Sequence, residues 1–455
     1  MTNPARIDLV ALIEDQKIGA FQLLVFALSC AVMFIEGYDM QVVAYTAPTI
    51  LKEWHVSKAI FGPVFAVGVA GYMIGATLLS SLADRIGRKK VIIGGNLLFG
   101  VLTFAAGFAT SIEPMLALRF VAGLGLGLSI PSTIALNAEY APKRRRASAI
   151  TTLFIGYTVG GALGGFVAAK LIPLFGWPSV FYLGGLAPVA LVVLLAFALP
   201  ESARFLALDP NNRDRILAIL KRLRPELALD RQGEIVLHEE HQPGLPVKNL
   251  FTEGRAVMTT LLWLAFVTSL MAHYFMTSWL PTVLDSAGVP LATAVQAGGL
   301  IHLGGSLGAL TIGWLLDRRG AVAIAIAFLL AAPALVLIPS VGTYEVAVLM
   351  PLVFLTGLFL LGGQIGLNAL SGSIYPTYIR STGSGWAFGV GRVGSILGPV
   401  VGGILLAGNP PVKLLFMAVA LPVLVCAVIT FALSRVVNRH QAGAPAPARE
   451  AEALS

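Results

Sequence analysis

Gly75-Ala-Thr-Leu-Leu-Ser-Ser-Leu-Ala-Asp84-Arg85-Ile-Gly87 and Gly308-Ala-Leu-Thr-Ile-Gly-Trp-Leu-Leu-Asp317-Arg318-Arg-Gly320 share the spacing G-x8-D-R-x-G. Each string closes an apolar run and opens a basic turn, so the same local unit occurs twice. A second echo sets Tyr140 and Arg145 against Tyr375 and Arg380, each pair followed by a Gly-rich run. Repetition at this distance divides the chain into two equivalent halves. Such halves imply a pseudo-twofold axis along a membrane normal, with a solute path between them.

The rest of the sequence supplies the membrane. Of 455 residues, 57% are hydrophobic and 12% charged, and the mean hydropathy is +0.84. That is more apolar surface than a water-soluble core can hide. A helix needs about 20 apolar residues to cross the hydrocarbon. Runs of that kind are expected over 20–50, 60–83, 91–110, 114–139, 148–170 and 177–199, then over 256–284, 291–316, 321–340, 344–373, 382–406 and 411–434. The reading is an all-α membrane protein of twelve spans in two six-helix bundles. Residues 1–199 and 255–437 form the bundles, 200–254 a central loop and 438–455 a disordered tail. Within the loop, Ile216, Leu217, Ile219, Leu220 and Leu223 alternate with Arg and Lys, the pattern of a short amphipathic surface helix.

The net charge of +8 does not point to nucleic acid, because the basic residues sit between spans. Arg85, Arg88, Lys89, Lys90, Lys143 to Arg146, the stretch from Arg204 to Arg255, Arg318 and Arg319 fall on one side. Lys52, Lys58, Lys170 and Lys413 fall on the other. The positive-inside rule then puts both termini in the cytoplasm. The first apolar run follows acidic Asp8, Glu14 and Asp15 and is read as a retained span. Cys30 and Cys426 both lie inside spans and form neither a disulfide framework nor a metal-binding spacing.

The segment Ser80-Ser-Leu-Ala-Asp84-Arg85-Ile-Gly87-Arg88-Lys89-Lys90 resembles the loop 2–3 signature of the major facilitator superfamily. Arg119-Phe-Val-Ala-Gly123-Leu-Gly125 looks like its span-four motif, Pro200-Glu201-Ser202-Ala-Arg204 like the segment that closes its first half, and Gly394 to Gly403 like its Gly/Pro helix. Within that superfamily the chain is most similar to the aromatic acid:proton symporters. Their first span carries an acidic-Gly-aromatic-Asp motif, here Glu36-Gly37-Tyr38-Asp39, with Glu where Asp is usual. The resemblance implies transport of a benzoate-like carboxylate with a proton across a bacterial inner membrane, without a cofactor, by a chain functional as a monomer.

Glu36 and Asp39, three apart, share a helix face near the middle of their span. A charge there costs on the order of 3 kcal/mol on insertion scales, so the pair is the expected proton site, with a structural ion pair as the plainer reading. Arg119 and Arg392 are the buried cations, whose guanidinium fork matches a carboxylate. One is expected to take the substrate anion and the other to pair with Glu36 or Asp39. Tyr38, Tyr274, Trp279 and Trp386 could stack on an aromatic ring, although aromatics in spans more often serve packing. Gln364 and Asn368, four apart, could bind a substrate polar group or a neighbouring helix. His273 and His302 have a protonation range suited to proton transfer, against the plainer reading of buried neutral side chains.

Asp84, Arg85, Arg88 and Glu139 gather at one membrane face, with Asp317 and Arg380 at the repeat's corresponding places. They are expected to gate by ion pairs that form and break as the halves rock. No phosphate-binding loop, H-E-x-x-H or nucleophile set is visible, so neither ATP hydrolysis nor catalysis is expected. The competing functions are export, another organic anion, or a transporter-like sensor.

Overall fold

The computed structural model describes residues 7–14, 16, 18–79, 81–223, 235–236, 247–252, 254–340, 345–375 and 379–443. Much of the central loop and the tail beyond 443 therefore lies outside the described residues. Among those described, eleven helices are long and apolar enough to cross a membrane, and Val322–Leu337 is a shorter apolar one. In chain order the spans are α1 Ala20–Glu53, α2 Lys58–Leu79, α3 Arg88–Ala106, α4 Ile112–Tyr140, α5 Arg146–Phe175 and α6 Pro178–Ala198. The second six are α7 Ala256–Ser286, α8 Leu291–Arg319, α9 Val322–Leu337, α10 Val346–Ser371, α11 Arg380–Ala407 and α12 Val412–Gly443. Helix is the form that lets every backbone group find its partner within the segment, as hydrocarbon demands. Among the described residues a parallel pair of two-residue strands joins Ile7–Asp8 with Ile235–Val236. Ends fall within about five residues of those expected from hydropathy, except that α12 continues to Gly443 where 434 is expected.

The duplication is visible in the packing. In the first half α1 lies on α5 and α6, α2 on α4, and α3 on α6; in the second, α7 lies on α11 and α12, α8 on α10, and α9 on α12. Adding six to each helix number converts one set into the other. The leading glycine of the repeated string has a packing role in both halves. A side chain on Gly75 would collide with the Leu124 backbone of α4, and one on Gly308 with the Leu358 backbone of α10. The closing glycines, Gly87 at φ 100° and Gly320 at φ 64°, take a left-handed conformation that glycine reaches without steric penalty. A π turn, Gly75–Leu79, follows directly on the crossing in α2.

Helix Arg213–Leu223 is amphipathic as expected. Its Ile216, Ile219, Leu220 and Leu223 are buried in one cluster with Leu9, Ile13, Phe21 and Val25, so the helix is seated on the first bundle.

The halves meet through α2 with α11, α5 with α8, and α1 with α7. These seams close at the ends away from the basic turns. Lys52 and Asp285 form an ion pair there, Phe65 packs edge-on against Trp279 with ring centroids 5.0 Å apart, and a side chain on Gly62 would touch Pro399 and Val400. Nearer the basic face, Leu78, Trp386 and Phe388 on the same two helices are exposed.

Candidate functional site

Two charged centres lie among the spans, one inside the first bundle and one where the two bundles meet. The first is built from α1, α3 and α4. Arg119 Nη1 sits 3.4 Å from both carboxylate oxygens of Asp39. The Thr103 hydroxyl donates to Asp39 Oδ1 and accepts from Arg119 Nη2, each at 2.5 Å. The guanidinium also lies 5.4 Å from the centre of the Phe181 ring. Asp39 is 2% exposed and Arg119 5%, so the two charges are matched in a buried polar group, with Arg119 Nε left without a partner among the described residues. Such a pair is costly to break, since either partner alone would be a stranded buried charge.

The second centre spans both bundles and is differently balanced. Arg392 of α11 donates from Nη1 to the Tyr274 hydroxyl of α7 at 3.1 Å and lies 4.6 Å over the ring of Tyr72 from α2. Tyr157 of α5 packs on the same apolar cluster as Tyr72. The guanidinium is half-buried, and among the described residues no carboxylate comes within ion-pair distance of it. Glu36 belongs to the same neighbourhood as Tyr72 and Tyr157. It is fully buried, and neither of its oxygens closes an ordinary hydrogen bond with the described residues. Ser129 is its polar neighbour. A cavity of about 40 Å³ lies beside the first centre and reaches the second at Tyr274, with Asp39 and Arg119 at one side, Tyr274, Thr277 and Ser278 at the other, and Phe65 and Val64 between.

The other expected substrate residues scatter. Tyr38 turns into the first bundle and donates to the Val180 carbonyl at 3.0 Å. Trp279 is fully buried in the seam, its indole donating to Pro399 at 2.9 Å. Trp386 is 45% exposed towards the basic face and stacks on Trp263. Gln364 accepts from the Ser269 hydroxyl of α7 and donates to Asn368 at 3.1 Å, a bracing role between α7 and α10. His273 lies against Tyr274 with ring centroids 5.2 Å apart. It and His302 each keep one ring nitrogen without a partner among the described residues.

At the basic face, Arg88 meets Glu139 and lies 3.8 Å from Asp84, while Arg85 is exposed. Glu139 also accepts from the Ser202 hydroxyl at 2.5 Å. Glu201 accepts from the Lys89 amide at 3.0 Å and the Ser202 amide at 2.9 Å, and its carbonyl accepts from the Tyr140 hydroxyl at 2.6 Å. Arg88, Asp84, Glu139, Lys89 and Tyr140 belong to the first bundle, and Glu201 and Ser202 to the segment that directly follows it. In the second, Arg380 Nε donates to the Tyr375 carbonyl at 3.3 Å; the Asp317 side chain lies outside the described residues.

Sequence reasoning singled out neither Thr103, Tyr72 and Tyr157 nor the clamping role of Glu201 and Ser202. The available signals were a hydroxyl in the apolar run of α3, tyrosines one turn from the close-packing glycines, and the polar Pro200-Glu201-Ser202 string.

The model of the major facilitator superfamily matches residues 29–388. The chain is 36% identical to a 4-hydroxybenzoate transporter of Pseudomonas aeruginosa over 92% of its own length and 93% of the relative's. It is 37% identical to a gallate transporter of Pseudomonas putida, over 94% and 95%. Among solved structures, a bacterial homologue of the human lysosomal transporter Spinster, inward-facing and occupied, superposes with a TM-score of 0.73 at 15% identity, covering 92% of this chain and 98% of that one. Twin six-helix bundles, the repeated G-x8-D-R-x-G string and these matches agree: the chain belongs to the major facilitator superfamily.

Proposed function

We propose that the protein imports an aromatic carboxylate together with a proton by alternating access, with both termini in the cytoplasm and the bundles of residues 1–199 and 255–437 rocking about the cavity. The observation that carries this reading is Arg392, a mid-membrane cation with three tyrosines around it and no carboxylate in ion-pair range among the described residues. A guanidinium so placed is completed by an anion from outside, and the Tyr72, Tyr157 and Tyr274 rings give a planar substrate surfaces to pack on. Relatives named for 4-hydroxybenzoate and gallate support an aromatic acid as that anion.

Charge assigns the proton. Protonating Asp39 would strand Arg119, whereas Glu36 has no cation bound to it and can take up or release a proton without breaking a pair. One proton entering with one carboxylate makes the loaded carrier no more charged than the empty one. The seam closed away from the basic face corresponds to a cytoplasm-open state.

Uptake of labelled 4-hydroxybenzoate and of aliphatic acids into proteoliposomes, with and without a pH gradient, tests the reading. Arg392→Lys keeps the charge and loses the fork, so its affinity for the aromatic acid should fall by about tenfold or more, the equivalent of roughly 1.4 kcal/mol. Wild-type affinity in that variant would remove Arg392 from substrate binding.

A further inference from the structure

Glu36 is the inner end of a buried polar stripe. On α1, Gln22, Ser29 and Glu36 are seven apart, which returns each to nearly the same helix face. On α4, Ser129, Thr133 and Asn137 are four apart, again one face. The two helices run antiparallel and touch, and none of these six residues is more than 1% exposed. The contact of Ser129 with Glu36 sets the register. Seven residues back along α1 and eight forward along α4 are both about 10–12 Å, so Ser29 and Asn137 stand at one depth, nearer the basic face. Gln22 lies about 10 Å beyond Ser29, in the first turn of α1. Asn96 of α3 joins from the side, donating to the Ser129 hydroxyl at 2.7 Å.

The side chains of this stripe do not satisfy one another. Gln22 Nε2, Ser29 Oγ, both Glu36 oxygens, Asn96 Oδ1, Thr133 Oγ1 and both polar atoms of the Asn137 side chain have no partner among the described residues. A buried polar atom left without a hydrogen bond is costly to the fold. Buried groups in this position are served by internal water, each molecule making about three hydrogen bonds.

We propose that the waters ordered by Ser29, Thr133 and Asn137 form the route by which the proton on Glu36 leaves to the basic face; this rests on Glu36 being the proton site. The Glu36 O–H bond breaks as the adjacent water takes the proton. Each water then passes one proton on by exchanging O–H bonds, and the last releases it beyond Gln22, leaving the Glu36 carboxylate behind. Ser29, Thr133 and Asn137 are positioning residues that hold the waters in line, while substrate leaves by the cavity.

The test uses the full-length protein in proteoliposomes with labelled 4-hydroxybenzoate. Counterflow exchanges substrate without net proton release, whereas uptake driven by a pH gradient requires it. Thr133→Val and Asn137→Leu should lower driven uptake about tenfold and leave counterflow within about twofold of wild type, the first being a barrier change of roughly 1.4 kcal/mol on proton release. Asn137→Ser, which keeps a hydrogen-bonding group, should restore most of the loss. Should Asn137→Leu fail to fold, Thr133→Val decides, since it replaces one hydroxyl by a methyl of similar size. Driven uptake at the wild-type level in Thr133→Val overturns the route, and so does equal loss of counterflow and driven uptake. Glu36→Gln in the same vesicles separates the two ideas. If it abolishes driven uptake while Thr133→Val does not, the route alone fails; if it leaves driven uptake intact, the proton site fails as well.

Discussion

Lys52 Nζ lies 2.7 Å from Asp285 Oδ2, tying the last turn of α1 to the last turn of α7 across the two bundles. Lys52 is largely exposed while Asp285 is almost enclosed, so the pair contributes to the balance between conformations more than to folding. Asp285→Asn should leave the thermal midpoint nearly unchanged. It should speed maleimide labelling of Ser278→Cys, which lines the cavity, from the face where this pair sits. An unchanged labelling rate would show that the pair is not a latch.

Asp39 and Arg119 balance each other inside the first bundle. Asp39→Ala removes one partner and should destabilise the protein by roughly 3–5 kcal/mol, the usual penalty for a buried ion left alone. Replacing both, as Asp39→Ala with Arg119→Met, should regain most of the lost thermal stability while uptake stays absent. If Asp39→Ala alone unfolds at the wild-type temperature, the pair carries no such burden.

The clamp at the basic face is a stability element. Glu201 accepts two backbone amides through its side chain, and a hydrogen bond to a charged group is worth roughly 1.5–3 kcal/mol. Glu201→Ala should therefore lower the thermal midpoint by more than Ser202→Ala. Substrate affinity should be unaffected in both, because neither touches the cavity. A midpoint equal to wild type in Glu201→Ala would assign the segment no holding role.

Gly75 and Gly308 occupy matching places in the two halves, so they should fail alike. Adding a side chain at either pushes on a backbone of the neighbouring helix, and overpacking of this kind costs about 1–3 kcal/mol. Gly75→Val and Gly308→Val should each lower the unfolding temperature in detergent, by similar amounts. A loss confined to one of them would argue against equivalent crossings.

Much of this architecture is legible in the chain. Spans announce themselves because lipid imposes long apolar runs, and the duplication because Gly75 and Gly308 must fit helix crossings while Gly87 and Gly320 must adopt positive φ. The site is legible only in part. Sequence placed Glu36, Asp39, Arg119 and Arg392 inside spans, but which carboxyl meets which arginine depends on how α1, α3, α4 and α11 pack, and that is not a local property. Tyr72 and Tyr157 pass for packing aromatics until Arg392 is seen beside them. Trp279 and Trp386 stand out in sequence, yet one fills the seam and the other stacks on Trp263 near the basic face. Polar atoms at Ser29 and Asn137 look isolated in sequence and align only once the antiparallel register is known.

The partners that the six leading helices offer Glu201 and Ser202 at the basic face, Lys89, Glu139 and Tyr140, all lie upstream of them, and the Phe205 and Leu206 amides that cap on Ser202 follow within one turn. A ribosome delivers those residues first. The nascent chain thus holds all the parts needed to fasten its leading six helices while the trailing six are still untranslated, and the join between matched halves can be made between one finished module and one newcomer.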